Sequence, residues 1–151
     1  RSGARRTRET FDVAATASVI VTDDRAGALR ALKPTTALYV GGMGAEDRNF
    51  HAQVYRRMGY GDVVDEVTTL FRSGRKDEAA ESIPDEMVAE TALVGTAQEV
   101  RTQLREWERA GVTMLLVSCR DPEELDAVAD CVLEEGVAPR VSHDRNDEGR
   151  V

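Results

Sequence analysis

The stretch FDVAATASVIV, residues 11–21, limits the possible folds more than any other part of the sequence. Val13, Ala15, Ala17, Val19 and Val21 fall on one face of an extended chain, and Ala14, Thr16, Ser18 and Ile20 on the other. A strand with one wet face alternates apolar and polar residues. One that is small or apolar on both faces suits a parallel sheet covered on both sides. The TDD that follows offers Asp23 or Asp24 as the N-cap of a helix carrying Ala26, Ala28, Leu29 and Leu32, a β-to-α step.

A second apolar strand, VTMLLVS, begins about 90 residues later and is expected to be buried. Helical patterns fill most of the interval. Pro34 either interrupts the first helix or restarts it, and TTALYV reads as strand by propensity or helix by context. Phe50, Val54 and Met58 recur at helical spacing before Gly59. Val63, Val64, Val67, Leu70 and Phe71 do the same before Gly74. RKDEAAES predicts a short polar helix, and Pro84 opens a further turn through PDEMVAE. ALVG is a short apolar run. Thr96 and Glu99 then form a capping box for a helix whose stripe is Val100, Leu104 and Trp107, with Trp107 expected against the following strand. Asp121 and Pro122 start a last helix through Leu125, Val128, Ala129 and Val132, which stops at Gly136.

The 151 residues divide into a basic lead-in, 1–10, one domain over 11–136, and a polar tail, 137–151, expected to be disordered. The opening RSGARRTRETF has no apolar run behind it and so does not form a secretory signal. With no initiator Met, the chain is expected to be processed or part of something longer. A formal net charge of −8 opposes nucleic-acid and anionic-membrane partners, both of which need a basic face. No segment reaches the roughly 18 apolar residues that a spanning helix requires. Cys119 and Cys131 lack metal-knuckle spacing and read as two reduced thiols packed as small apolar groups, in keeping with a cytoplasmic address.

Residues 39–44, YVGGMG, raise the question of a ligand loop. The dinucleotide fingerprint needs Gly or Ala at position 47, which is Asp, and no Walker Gly-Lys-Ser/Thr is present. The stretch is therefore either a hinge between helices or a close approach to a ligand. His51 and His143 lie outside any metal-binding pattern, and no metal site is expected. The acidic clusters TDD, DEAAE and DPEEL read as caps and solvated faces, and Arg56 and Arg57 as exposed helix charge or an anion contact.

Taken in order, FDVAATASVIVTDD, ALYVGGMG with NF five positions on, RMGY, SGRKDEAAESIPDEMV, ALVGTAQEV and WERAGVTMLLV resemble the C-terminal part of bacterial-luciferase-like oxidoreductases. The likeness is nearest to the branch that uses the deazaflavin coenzyme F-420. It implies the C-terminal portion of a (β/α)8 TIM barrel, α/β and helix-rich, with two to three parallel strands. Residues 12–21 would be the seventh strand, 112–118 the eighth, and the helices of about 35–90 an insertion. The resemblance also implies F-420 or FMN as cofactor, hydride transfer to or from a small organic substrate, and Gly41, Gly42, Met43 and Gly44 as cofactor-binding residues. It names no catalytic residue. The barrel's other strands would come from a missing N-terminal half, or a second copy would cover the open sheet. The alternative is a non-catalytic remnant acting as an oligomerisation or interaction module.

Overall fold

A computed structural model describes residues 11–44, 48–118 and 122–133. The lead-in 1–10, the Asp121 cap, Cys119, the stop at Gly136 and the tail 137–151 lie outside the described residues. Strands β1 (Ala14–Val21), β2 (Ala92–Gly95) and β3 (Met114–Ser118) form one parallel sheet in the order β2-β1-β3. β1 is long enough to serve both neighbours. Its residues 14–18 pair with β3 and its residues 18–21 with β2.

Between β1 and β2 run α1 (Arg25–Ala37), a single π turn (Leu38–Gly42), α2 (Phe50–Arg57), α3 (Gly61–Arg72), α4 (Lys76–Glu81) and α5 (Asp85–Ala89). Helix α6 (Ala97–Ala110) joins β2 to β3, and α7 (Pro122–Leu133) follows. Of the two candidate caps after β1, Asp24 is the one used. Its Oδ1 accepts from the Gly27 N–H at 2.9 Å. TTALYV is helix and π turn rather than strand, and Pro34 sits inside α1. The capping box at α6 forms as expected: Thr96 Oγ1 accepts the Glu99 N–H, and Glu99 Oε2 accepts the Thr96 N–H at 2.8 Å. Gly95 makes this closure possible. Its φ of +147° disfavours an L side chain, and a Cβ there would lie 2.5 Å from Glu99 Oε2.

The two faces of the sheet carry separate cores. Val19 and Leu93, with Leu115 and Val117, pack against Val100, Leu104 and Trp107 of α6 and Val128 and Cys131 of α7. On the other face Ile20, Ala92 and Val94 join a larger cluster with Leu29, Val64, Val67, Ile83 and Met87 from the helices between β1 and β2. That second cover reaches only the C-terminal half of β1. Below it, Thr16, Met114 and Leu116 are exposed, Leu116 by 51%.

Several expectations change here. The strand expected to be buried over 112–118 is half-exposed, because no described element covers its second face. In α2 the buried residues are Ala52 and Tyr55, while Phe50 and Met58 are exposed, so the helix is turned from the expected stripe. Tyr55 fixes that rotation: its hydroxyl lies 3.0 Å from Thr91 Oγ1, and its ring meets Tyr60 edge-on at 6.5 Å. In the short polar helix α4, Ala79 and Ala80 are buried. In α7 Leu125 is exposed, and Val128 and Cys131 take the inward face. Trp107 docks where expected but stays partly exposed. The thiol of Cys131 is buried, with Sγ donating to Ala97 O at 3.3 Å.

Leu29→Ala and Leu93→Ala, one in each core and both 1% exposed, are each expected to cost about 2–5 kcal/mol in urea unfolding. Thr96→Ala should cost about 1 kcal/mol through loss of the cap. The Glu99 carboxyl is held below its usual range, first by the Thr96 backbone N–H and then by its hydroxyl, and Asp85 is lowered chiefly by its hydrogen bond from Lys33. Both pKa values are depressed by folding. The stability they contribute is therefore complete above the unfolded carboxylate range near pH 4 and is lost as pH falls through the folded values. A urea midpoint that falls more gently with acid in Glu99→Gln than in the parent checks this.

Candidate functional site

The glycine stretch sits at the end of the π turn. A π turn is a wider coil that leaves main-chain carbonyls without their usual α-helical partners and is often found at functional sites. One side chain meets that need. Asn49, 4% exposed, donates from Nδ2 to Tyr39 O at 2.9 Å and Val40 O at 2.8 Å, while its Oδ1 accepts the Ala52 N–H at 3.0 Å. The same amide therefore closes the turn and caps α2.

The four residues singled out in the sequence divide by role. Gly41 is buried, and a Cβ there would lie 2.6 Å from Phe71 Cβ and 3.2 Å from Val67 O. At Gly42 it would lie 2.6 Å from Phe71 Cε1. These two glycines let the turn rest directly on α3. Gly44 differs, with φ +82° and nothing within 4 Å of a would-be Cβ, and Met43 beside it is 44% exposed. Three rings stand together where the π turn and the start of α2 meet. Tyr39 and His51 are 4.6 Å apart and tilted, and Phe50 meets His51 edge-on at 5.8 Å. Tyr39 and Phe50 are exposed and His51 is half-buried, and Leu38 and Met43 of the same turn region are exposed as well. Sequence reasoning missed Asn49, Tyr39, Phe50 and His51 as a group. The available signal was the Asn directly before a helical run, which reads as a cap.

Arg56 and the residues that follow β1 have structural partners. Arg56 pairs with Asp65, whose pKa it lowers, and donates to Gly61 O, tying α2 to α3. At the end of β1, Thr22 donates its N–H to Gly95 O and accepts the Asp24 N–H on Oγ1. Among the described residues no group of three His, Cys, Asp or Glu could hold a metal, and no helix is long and apolar enough to cross a membrane.

The chain belongs to the luciferase-like monooxygenase family, whose model matches residues 1–114. A Mycobacterium tuberculosis protein, provisionally named a coenzyme F-420-dependent oxidoreductase, is 60% identical over 129 residues, covering 85% of this chain and 37% of that protein. The coenzyme F-420-dependent tetrahydromethanopterin reductase of Methanopyrus kandleri is similar in fold, with a TM-score of 0.63 and 23% identity, over 83% of this chain and 35% of its own. The chain thus spans little more than a third of these relatives' lengths. Its three parallel strands and helix-rich cover form the α/β C-terminal portion of such a barrel.

Removing Asn49 should leave two carbonyls and one N–H of the loop without their partner, so Asn49→Ala is expected to cost about 1–3 kcal/mol in urea unfolding. Gly41→Ala should cost a similar amount by overpacking against Phe71. Gly44→Ala meets no neighbour and should cost only the roughly 1–2 kcal/mol of a left-handed backbone. Comparing the three unfolding midpoints separates packing glycines from a conformational one.

Proposed function

We propose that the chain is the C-terminal segment of an F-420-dependent oxidoreductase acting on a small organic substrate. The observation that carries this reading is the 60% identity, over 85% of the chain, to a protein bearing that name. The coenzyme, when bound, supplies the two-electron chemistry of hydride transfer, and the protein's work is to orient it and keep water out. On this reading Gly41 and Gly42 bring the turn down onto Phe71, and Met43 and Gly44 present open backbone to the ring system. Asn49 holds that backbone in place, and Tyr39, Phe50 and His51 supply an apolar flank. FMN, which is also planar, would use the same surface.

Barrel sites are assembled at the C-terminal ends of the strands from many loops at once. The reading therefore assigns the remaining contacts to the N-terminal portion of the barrel. A second reading, a non-catalytic interaction module, is favoured by one observation: Met114 and Leu116 are about half exposed on a sheet face that parallel strands normally keep covered. In that case a second copy would cover the face.

Fluorescence titration with F-420 and with FMN, with and without the N-terminal portion of the Mycobacterium tuberculosis relative, tests both. Saturable F-420 binding is expected once that portion is present. An absence of binding to the assembled pair, together with a dimer by light scattering of the chain alone, would replace the enzyme reading with the second.

A further inference from the structure

Helix α2 is apolar on two faces. Ala52 and Tyr55 are buried, yet Phe50 is 66% exposed and Met58 38%, with Val54 half-buried between them. Phe50, Val54 and Met58 stand at i, i+4 and i+8 and therefore share the outward face. Large apolar side chains gathered at the surface mark a place where something binds. The same face carries a charge. Arg57, at i+7 from Phe50, is exposed and makes no hydrogen bond or ion pair with the described residues. Arg56 beside it is taken up by Asp65 and Gly61 O. The helix itself, FHAQVYRR, contains no acidic residue, so the free charge on this face is positive.

One end of the face is fixed to the glycine turn. Asn49, the cap of α2, donates to Tyr39 O and Val40 O, and Phe50 follows it directly. Arg57 lies seven residues further on, about 10 Å along the axis at roughly 1.5 Å per residue. The surface thus runs from the turn, over Phe50 and Val54, to a guanidinium. A guanidinium offers a planar fork of donors that matches a carboxylate, and a single unpaired cation suits a single negative charge. The ligand that satisfies the whole face has an apolar body and a carboxylate about 10 Å from its other end.

We propose that the outward face of α2 binds the substrate, that the substrate is an apolar carboxylic acid, and that Arg57 holds its carboxylate. The group that reacts then lies at the Phe50 end, beside the turn assigned above to the coenzyme. This rests on the oxidoreductase reading, which places the coenzyme at that turn, and adds the class of substrate and the residue that selects it. A cation in the last turn of a helix also complements the helix dipole. That role is indifferent to what is bound, so the discrimination between an acid and its uncharged analogue separates the two.

NMR titration with octanoate and with 1-octanol tests this, on the full chain alone and mixed with the N-terminal portion of the Mycobacterium tuberculosis relative. Octanoate should shift the amides of Phe50, Val54 and Arg57. In the chain alone it should bind about threefold more tightly than 1-octanol, the scale of an exposed ion pair. In the mixture, with the site closed, the preference should reach about tenfold or more. Arg57→Gln should abolish the preference, Arg57→Lys should keep part of it, and Phe50→Ala should weaken both ligands alike. Both side chains are exposed, so these variants leave the cores intact. Equal affinity for acid and alcohol overturns the proposal, as does a preference that survives Arg57→Gln or shifts that fall outside α2. So do shifts of the same amides on concentrating the chain without ligand, which would make a second copy the occupant. A mixture that binds F-420 but does not prefer octanoate overturns this proposal and leaves the oxidoreductase reading standing. Octanoate bound at α2 by a mixture that takes no F-420 overturns the assignment of the ligand as substrate.

Discussion

β1 is the strand on which the other elements depend. Val19 and Ile20, adjacent in sequence, point into different cores, one built with α6 and α7 and the other with the helices between β1 and β2. The same strand provides the pairing edge for both β2 and β3. Small residues make this double duty possible. Ala15, Ala17 and Ser18 occupy the stretch that pairs with β3 on a sheet needing close cover, where bulkier side chains would hold the layers apart. Because both cores meet at one strand, loosening either affects the shared ladder.

Much of this was legible from the sequence where local chemistry and packing agree. Thr96 and Glu99 identify the start of α6 whatever surrounds it, because the capping box forms within four residues. Val64 and Val67 likewise mark the inner face of α3 by spacing alone. The rotation of α2 was not legible, since it is set by a contact 36 residues away between Tyr55 and Thr91. Nor was the exposure of β3. Met114 and Leu116 have the composition of buried residues, and sequence periodicity cannot tell whether a covering layer is present.

The glycine stretch was legible as a special place and not as a particular kind. Three glycines in four positions can mean packing, turning or ligand approach, and here the first two serve packing and Gly44 serves the backbone turn. The distinction depends on Phe71, some 30 residues further on, whose ring fills the space a Cβ would need. The residue that organises the loop, Asn49, looks in sequence like an ordinary cap. Its second role exists only because the π turn leaves carbonyls within reach of its amide.

The long excursion between β1 and β2 begins and ends at the same place. Val21, where it departs, is paired with Gly95 at the end of β2, where it has returned. Roughly 70 residues of helix and turn are thus closed into a loop whose ends are fastened by the sheet itself. The entropy of closing such a loop grows only logarithmically with its length, by about 0.6 kcal/mol for each doubling. Turns within the excursion can therefore change length at little closure cost, while the helices that bury Ile20, Ala92 and Val94 stay tied to the sheet by the core they share with it.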